Sequence, residues 1–202
     1  MSNEELLKMY EAIKADPGEL VRAAARKRLI NFARYMQPDL VLEPFHVVYY
    51  TLLDKFAHGK IRKMIVQQPP QHGKSEGSSR KLPAFMLGLD PDRKICIGSY
   101  AATIARDFNR DVQRIIDTPR YRELFPDTHL NGSNVVTMAN TYLRNSDVIE
   151  MVGRKGSLRV VGRGGSLTSK TVDVSILDDV YKDYAEGNSP IVRAAAWKWY
   201  TT

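Results

Sequence analysis

Cysteine and histidine are scarce in this sequence. Its 202 residues include one cysteine, Cys96, and four histidines, at positions 46, 58, 72 and 129. One cysteine cannot form an intramolecular disulfide or a cysteine zinc site, and the histidines are too dispersed for metal-ligand spacing. We therefore expect a protein of a reducing compartment in which Cys96 acts as a small buried hydrophobic side chain.

Long apolar runs are also missing. The longest are far shorter than the ~20 residues that a membrane-spanning helix requires. The first ten residues, MSNEELLKMY, carry acids where a signal peptide has positive charge and an apolar core. The sequence therefore predicts a protein that is neither exported nor membrane-spanning.

The charge is unbalanced toward the positive sign. Lys and Arg number 30 against 23 Asp and Glu, a formal net charge of +7, while 43% of the residues are hydrophobic. That apolar content suffices for one domain with a core. The charge favours a polyanionic partner such as nucleic acid, although charge bears on association and not on the fold.

Hydrophobic periodicity changes along the chain. A helical pattern covers the first segment, which we place at 1–42, with a break at 16–19 and a helix ending at Met36. Another helix is predicted from Glu43 to Gly59. Beyond it, within a domain placed at 43–202, strands alternate with helices, which is typical of an α/β fold with a parallel sheet.

Three strands are clear in the pattern and three others are weak. The clear strands are predicted at 64–66, 94–98 and 172–177, and short β-like pieces at 135–138, 148–151 and 158–161 define no firm topology. Ser99 is expected to cap the helix after the second strand, and a last helix is expected over 189–200.

A phosphate-binding loop follows the first predicted strand. The usual G-x-x-x-x-G-K-[ST] pattern begins here with Gln68 and then keeps Gly73, Lys74 and Ser75. In such loops the backbone N–H groups cradle the phosphates of ATP, the lysine reaches the β and γ oxygens, and the hydroxyl ligates Mg²⁺. The predicted nucleotide-contacting residues are Gln71, His72, Gly73, Lys74, Ser75 and Glu76.

An acid pair ends the last clear strand. Asp178 and Asp179 stand at the carboxyl end of that strand, where ligands of open α/β sheets gather. Asp178 is expected to complete the Mg²⁺ site with Ser75, and Asp179 to orient or deprotonate the attacking water. This order fits a RecA-like P-loop ATPase, a mostly parallel sheet with helices on both faces. The alternative is that two acids merely end a strand.

The segment between Met151 and Val172 contains no acid. It combines five glycines with five cations, Arg154, Lys155, Arg159, Arg163 and Lys170. A glycine-rich basic loop of this density suits phosphate binding, and a mobile surface loop would have the same composition.

Several stretches together resemble the large subunit of tailed-bacteriophage terminases. They are FHVVYYTLLDKFAHGK at 45–60, PPQHGKSE at 69–76, ICIGSYAATIARDFNRDVQRIID at 95–117, YRELFP at 121–126 and VGRGGSLTSKTVDVSILDDVYKD at 161–183. The resemblance implies a RecA-like ATPase that moves double-stranded DNA into a procapsid. It also implies a homo-oligomeric ring on the portal protein, a small-subunit partner and a location in the cytoplasm of the infected host.

The resemblance assigns roles to particular positions. Lys74 would be the catalytic lysine and Asp179 the catalytic carboxylate, and Phe45 and His46 would lie on the adenine side. Gln71 stands where the family usually has an arginine. The positive charge with which that arginine can stabilise the transferred γ-phosphoryl group is therefore missing. Arg159 and Arg163 are the candidates for an arginine finger that replaces it, with phosphate or DNA-backbone contact as the competing role.

The sequence ends before the family's coupling strand and nuclease domain, so nuclease activity is expected only of a longer protein. Two other hypotheses about the function stay open. One is a nucleotide- or DNA-binding module without turnover, because Gln68 and Gln71 weaken the loop. The other is a different P-loop enzyme, such as a helicase or a small-molecule kinase.

Overall fold

The chain is a mixed α/β structure with a small, mostly parallel sheet. The computed structural model describes residues 2, 4, 10, 11, 14, 16, 18–136, 141–165 and 171–201. Its helices are α1 (Glu19–Lys27), α2 (Leu29–Met36), α3 (Pro44–Ala57), α4 (Leu82–Leu89), α5 (Ala102–Ile116), α6 (Pro119–Leu124), α7 (Tyr184–Asn188) and α8 (Pro190–Thr201). A π-helical segment, Glu76–Lys81, precedes α4. The strands are β1 (Lys94–Ser99), β2 (Val148–Glu150), β3 (Ser157–Gly162) and β4 (Val174–Leu177).

The four strands lie in the order β2-β3-β1-β4. Strand β1 pairs in parallel with both β3 and β4, while β2 is antiparallel to β3. The predicted parallel sheet is therefore confirmed for three strands, two of which are the predicted strands at 94–98 and 172–177. Because β4 pairs with β1 alone in the described structure, β4 is an edge strand.

An aromatic cluster joins the N-terminal helices to the rest of the core. The ring of Phe32 in α2 lies 5.3 Å from that of Phe85 and 6.1 Å from those of Tyr121 and Phe125. Residues of α1 to α4 and of the sheet belong to one hydrophobic core. The division at residue 42 stays a prediction, but the described part of the first segment shares this core.

The helix predicted to end at Met36 is interrupted at Arg28. Its backbone is extended there, with φ −136° and ψ 127°. The carboxylate of Asp54, only 5% exposed, accepts a hydrogen bond of 2.8 Å from the backbone N–H of Leu29 and lies 3.4 Å from the Arg28 guanidinium. This buried acid from α3 accepts a hydrogen bond from a backbone N–H group at the start of α2 that has no partner within the helix. The local sequence pattern does not reveal this contact.

The strand predicted at 64–66 is wrong. Burial still alternates there, with Met64 and Val66 against the core and Ile65 91% exposed. No described residue forms a backbone–backbone hydrogen bond with positions 62–72. An extended apolar segment becomes a strand only when another strand lies beside it, and none of the described strands does.

The glycine-rich basic segment is not one loop. Strand β3 runs through it and carries Arg159, because 157–162 pairs with β1. Lys170 and the second half of the predicted piece at 135–138 lie outside the described residues, as does most of the segment before residue 16. Ser99 is not a helix cap, because β1 extends through it to pair with Gly162 and α5 begins after Ala101.

Cys96 lies buried in β1, as predicted. Burial raises the pKa of its thiol to about 11. Among the described helices, none is long and apolar enough to cross a membrane.

Candidate nucleotide-binding site

The loop at 69–75 turns sharply before the π-helical segment. Gly73 has φ +76°, and a Cβ there would lie 3.4 Å from Nε2 of His46. Gln71 also lies in the left-handed region, with φ 63°. Such angles are unusual for residues other than glycine, and where they occur they concentrate at functional sites. The turn therefore contains two left-handed residues, of which Gly73 adopts this conformation readily and Gln71 does not.

The acid pair is fixed to the end of β1. The backbone N–H of Asp178 donates to the Gly98 carbonyl at 2.9 Å, and Tyr100 N–H donates to the Asp179 carbonyl at 2.9 Å. Asp179 has φ 47°, the other left-handed residue besides Gln71 that is not glycine in the described chain. The two unusual backbone positions thus belong to the two motifs that the sequence singled out.

Lys74 connects the loop to the acid pair. Its Nζ lies 3.0 Å from Oδ1 of Asp178 and 2.5 Å from Oδ1 of Asp179. The side chain of Asp178 is only 3% exposed, while that of Asp179 is 62% exposed. The two carboxylates therefore share one cation but face different environments, which is how neighbouring acids take different roles.

Lys74 and Asp178 both stay charged near neutral pH. Burial raises the pKa of Asp178, but hydrogen bonds from Ser75, Ser79 and Lys74 outweigh it and hold that pKa below its usual value. Burial likewise lowers the pKa of Lys74, and the two carboxylates more than reverse this, so that its pKa is raised. Asp178 is thus a buried, ionised carboxylate beside a hydroxyl, an arrangement suited to Mg²⁺.

Ser79 is a site residue that the sequence analysis missed. Its hydroxyl, fully buried, donates a hydrogen bond of 2.7 Å to Oδ2 of Asp178. The available signal was its spacing, because Ser79 follows Ser75 by four residues and can share its face of a helix. Ser79 thus holds Oδ2 of Asp178, while Lys74 lies against Oδ1.

Tyr49 supports the loop from α3. Its hydroxyl donates a hydrogen bond of 2.5 Å to the carbonyl of Lys74, and burial raises the pKa of Tyr49 to about 12. Gly77 lies against this ring, since a Cβ there would lie 2.5 Å from a Tyr49 ring carbon. Gly77 belongs to the π-helical segment, and π-helical turns occur frequently at functional sites.

Phe45, His46 and His72 form an aromatic group beside the loop. The rings of Phe45 and His46 lie 3.9 Å apart, and those of Phe45 and His72 5.7 Å apart. His46 Nδ1 accepts from the backbone N–H of Glu43 at 3.0 Å, so Nε2 carries the proton and donates to the His72 carbonyl at 3.2 Å. Both ring nitrogens of His46 are thus engaged in hydrogen bonds. The aromatic group can contact a nucleobase through the faces of its rings.

The two candidate finger arginines lie in different places. Arg163 contacts the segment after the acid pair, where its Nη1 donates to the Val180 carbonyl at 2.8 Å and to Glu186 Oε2 at 2.9 Å. Arg159 lies on β3 and faces Glu150 at 3.6 Å, with no contact to the loop in the described structure. The fold therefore brings Arg163, and not Arg159, to the neighbourhood of Asp179.

The remaining loop residues differ in their contacts. Glu76 pairs with Lys81 at 3.0 Å and with Arg80 at 3.8 Å. Gln71 is exposed, whereas Oε1 of Gln68 is buried and is the one buried side-chain polar atom without a hydrogen-bond partner in the described residues. An unsatisfied buried acceptor costs about 1–3 kcal/mol, so the start of the loop lacks a donor that it needs.

A comparison with models of protein families found no match, and comparisons with curated proteins and with solved structures found none either. The terminase resemblance therefore depends on the sequence motifs alone.

Proposed function

We propose that the chain is a P-loop nucleoside triphosphatase of RecA-like type. The observation that carries the proposal is the position of Lys74 between Asp178 and Asp179. A lysine that follows Gly73 in a left-handed turn and meets the acids at the end of a parallel strand is the arrangement expected of phosphate and Mg²⁺ chemistry.

Each residue has a definite task in this proposal. Lys74 exchanges its carboxylate partners for the β and γ oxygens of ATP, and the backbone N–H groups around Gly73 hold the same phosphates. Ser75 and Asp178 would hold Mg²⁺, and a metal ion there would neutralise charge that develops on the transferred phosphoryl group. The exposed carboxylate of Asp179 orients the attacking water or accepts its proton.

The wider proposal is an ATP-driven DNA motor of the terminase large-subunit type. Its support is the ordered set of motifs in the sequence together with the net charge of +7. Such a motor would act on double-stranded DNA through its phosphate backbone, as a ring on a portal protein, with a small-subunit partner in the host cytoplasm.

Calorimetric ATP titrations with and without Mg²⁺, with phosphate release followed in the same samples, test the enzymatic proposal. We expect binding to depend on Lys74, so that Lys74→Ala loses it, and Asp179→Asn to bind but not release phosphate. Lys60→Ala is the matched control, since this exposed lysine makes no side-chain ion pair in the described chain. Phosphate release that survives Asp179→Asn would remove Asp179 from catalysis and move the role to Asp183 or Glu186.

A nucleotide-binding module without turnover is the second candidate. The observation in its favour is the segment at 62–72, which forms no backbone–backbone hydrogen bonds with the described residues. A loop that is not seated in the sheet holds its nucleotide less rigidly, and catalysis needs groups fixed in position. Lys74-dependent binding without phosphate release would select this candidate.

A further inference from the structure

A basic cavity lies at the opposite end of the parallel strands from Lys74. It has a volume of about 380 Å³ and is lined by Lys94, Tyr142, Glu150, Lys155, Ser157 and Arg159, among others. Lys94 and Ser157 begin β1 and β3 and are register partners. The cavity is therefore built on the amino ends of the strands, whereas Asp178 and Asp179 follow the carboxyl end of β4.

Positive charge dominates this cavity. Among the described residues of its lining, Arg154 joins Lys94, Lys155 and Arg159, against one carboxylate, that of Glu150. The ion pairs of the two arginines are long, 3.6 Å from Arg159 to Glu150 and 3.6 Å from Arg154 to Asp127. The two lysine ammonium groups have no carboxylate within ion-pair distance in the described structure.

The nearby acids accept hydrogen bonds from backbone N–H groups and do not pair with the lysine ammonium groups. Asp173 accepts a hydrogen bond of 2.8 Å from the backbone N–H of Lys94, and Asp92 accepts one of 2.7 Å from that of Lys155. Gly156 packs so closely that a Cβ there would lie 2.1 Å from the Pro91 carbonyl oxygen. The cavity wall is thus fixed by short contacts while its ammonium groups stay available.

Hydroxyl groups complete a set of hydrogen-bond donors. Ser157 and Tyr142 line the cavity, where they contribute an aliphatic hydroxyl and a phenol. Ammonium, guanidinium and hydroxyl groups together match the oxygens of a phosphate, which accept hydrogen bonds and carry negative charge.

We propose that this cavity binds a backbone phosphate of double-stranded DNA. The excess of positive charge over the whole chain favours a polyanion over a single small anion, and exposed Arg154 and Lys155 extend the basic surface beyond the cavity. The inference deepens the DNA part of the proposed function and names the surface that makes the contact. It does not depend on ATP hydrolysis.

Fluorescence anisotropy with a labelled duplex, in the absence of nucleotide and over a series of NaCl concentrations, tests the inference. The variants are Lys94→Gln, Lys155→Gln and their combination, with Lys60→Gln as a control of equal charge change. Each cavity variant is expected to lower the slope of log K against log salt by about 0.9, and the pair by about twice that. Lys60→Gln is expected to leave the slope unchanged.

The outcomes separate this inference from the proposed function. DNA binding with equal slopes for the cavity variants and the control would overturn the cavity assignment and leave a DNA motor possible through another surface. No DNA binding by the wild-type chain would overturn both the cavity assignment and the DNA part of the proposed function. Lys155-dependent binding of inorganic pyrophosphate, with DNA affinity the same in all variants, would assign the cavity to a free anion and also overturn the inference.

Discussion

The two ends of the parallel strands hold their positive charges in opposite ways. At the carboxyl end, Lys74 lies within 3.0 Å of two carboxylates, which neutralise it. At the amino end, Lys94 and Lys155 have no carboxylate partner within the described structure. A paired ammonium becomes available only when another anion displaces its partners, whereas an unpaired one attracts anions continuously.

This difference suits two kinds of ligand. A triphosphate that binds, reacts and leaves can use the exchange of Lys74 between carboxylates and phosphate oxygens. A polyanion that is held while it moves needs contacts that are always present and independent of sequence. Substitutions at one end, each compared with a substitution at the other, test this difference.

The largest loss of stability is expected from Gly156→Ala. The new Cβ would lie 2.1 Å from the Pro91 carbonyl oxygen and 2.9 Å from that of Arg93, so the backbone of the cavity wall must move. We expect the free energy of unfolding to fall by about 3 kcal/mol, the upper range for an overpacked site. Urea unfolding of the variant and the wild-type chain measures it.

Gly77→Ala and Gly132→Ala calibrate this result. At Gly77 the obstacle is the Tyr49 ring, a side chain that can shift, and we expect a loss of about 1 kcal/mol. Gly132 has open space around it and serves as the control. A greater loss for Gly77→Ala than for Gly156→Ala would show that the loop end is the more rigid of the two.

Lys74→Met is expected to lower the free energy of unfolding by about 2 kcal/mol. It leaves the buried carboxylate of Asp178 without its cation, and breaking a buried pair is costly, although partial exposure of Lys74 reduces the effect. The matched substitution Lys94→Met removes an unpaired cation and should stay within about 0.5 kcal/mol of wild type. Equal losses in urea unfolding would contradict the comparison between the two ends.

Much of the candidate site was predictable because its motifs are local. Gly73, Lys74 and Ser75 are adjacent in sequence, and a short apolar strand leads directly into Asp178 and Asp179. Strand alternation predicted that the two motifs would meet at one edge of the sheet, although the strand expected before the loop is not formed in the described structure. The ion pairs of Lys74 agree with that expectation.

What escaped prediction depends on contacts between distant residues. The break before Leu29 needs Asp54 from another helix, and the strand predicted at 64–66 fails because no described strand pairs with it. The basic cavity combines Lys94 with Ser157 and Arg159, which the register of β1 and β3 brings together. The hydrophobic pattern of a sequence gives neither the register between two strands nor the presence of a neighbouring strand or helix.

The buried carboxylate should also make stability depend on pH. Because the folded-state pKa of Asp178 is below its ordinary value of 3.8, its contribution is complete above that value and is lost as the pH falls through the folded-state pKa. Asp178→Asn should remove this component, so the difference in unfolding free energy from wild type shrinks in acid. The slope cannot exceed one proton, about 1.4 kcal/mol per pH unit.

Lys94→Met is the control for that titration, because it leaves the surroundings of Asp178 unchanged. Its acid unfolding curve should run parallel to that of the wild-type chain. A difference between Asp178→Asn and wild type that stays constant through the acid range would mean that Asp178 has the same pKa in the folded and unfolded states.

A small effect, on phosphate release, is expected from Arg163→Ala. Arg163 ties the Val180 carbonyl to Glu186, which also accepts a hydrogen bond from the backbone N–H of Lys182, so it steadies the segment that follows Asp179. If the chain hydrolyses ATP, loosening this segment should slow phosphate release about fivefold, roughly 1 kcal/mol of barrier, with ATP affinity unchanged. Arg110→Ala, an exposed arginine of α5, is the control. A loss of ~10³ or more that occurs only in the assembled ring would instead identify Arg163 as a finger acting between subunits.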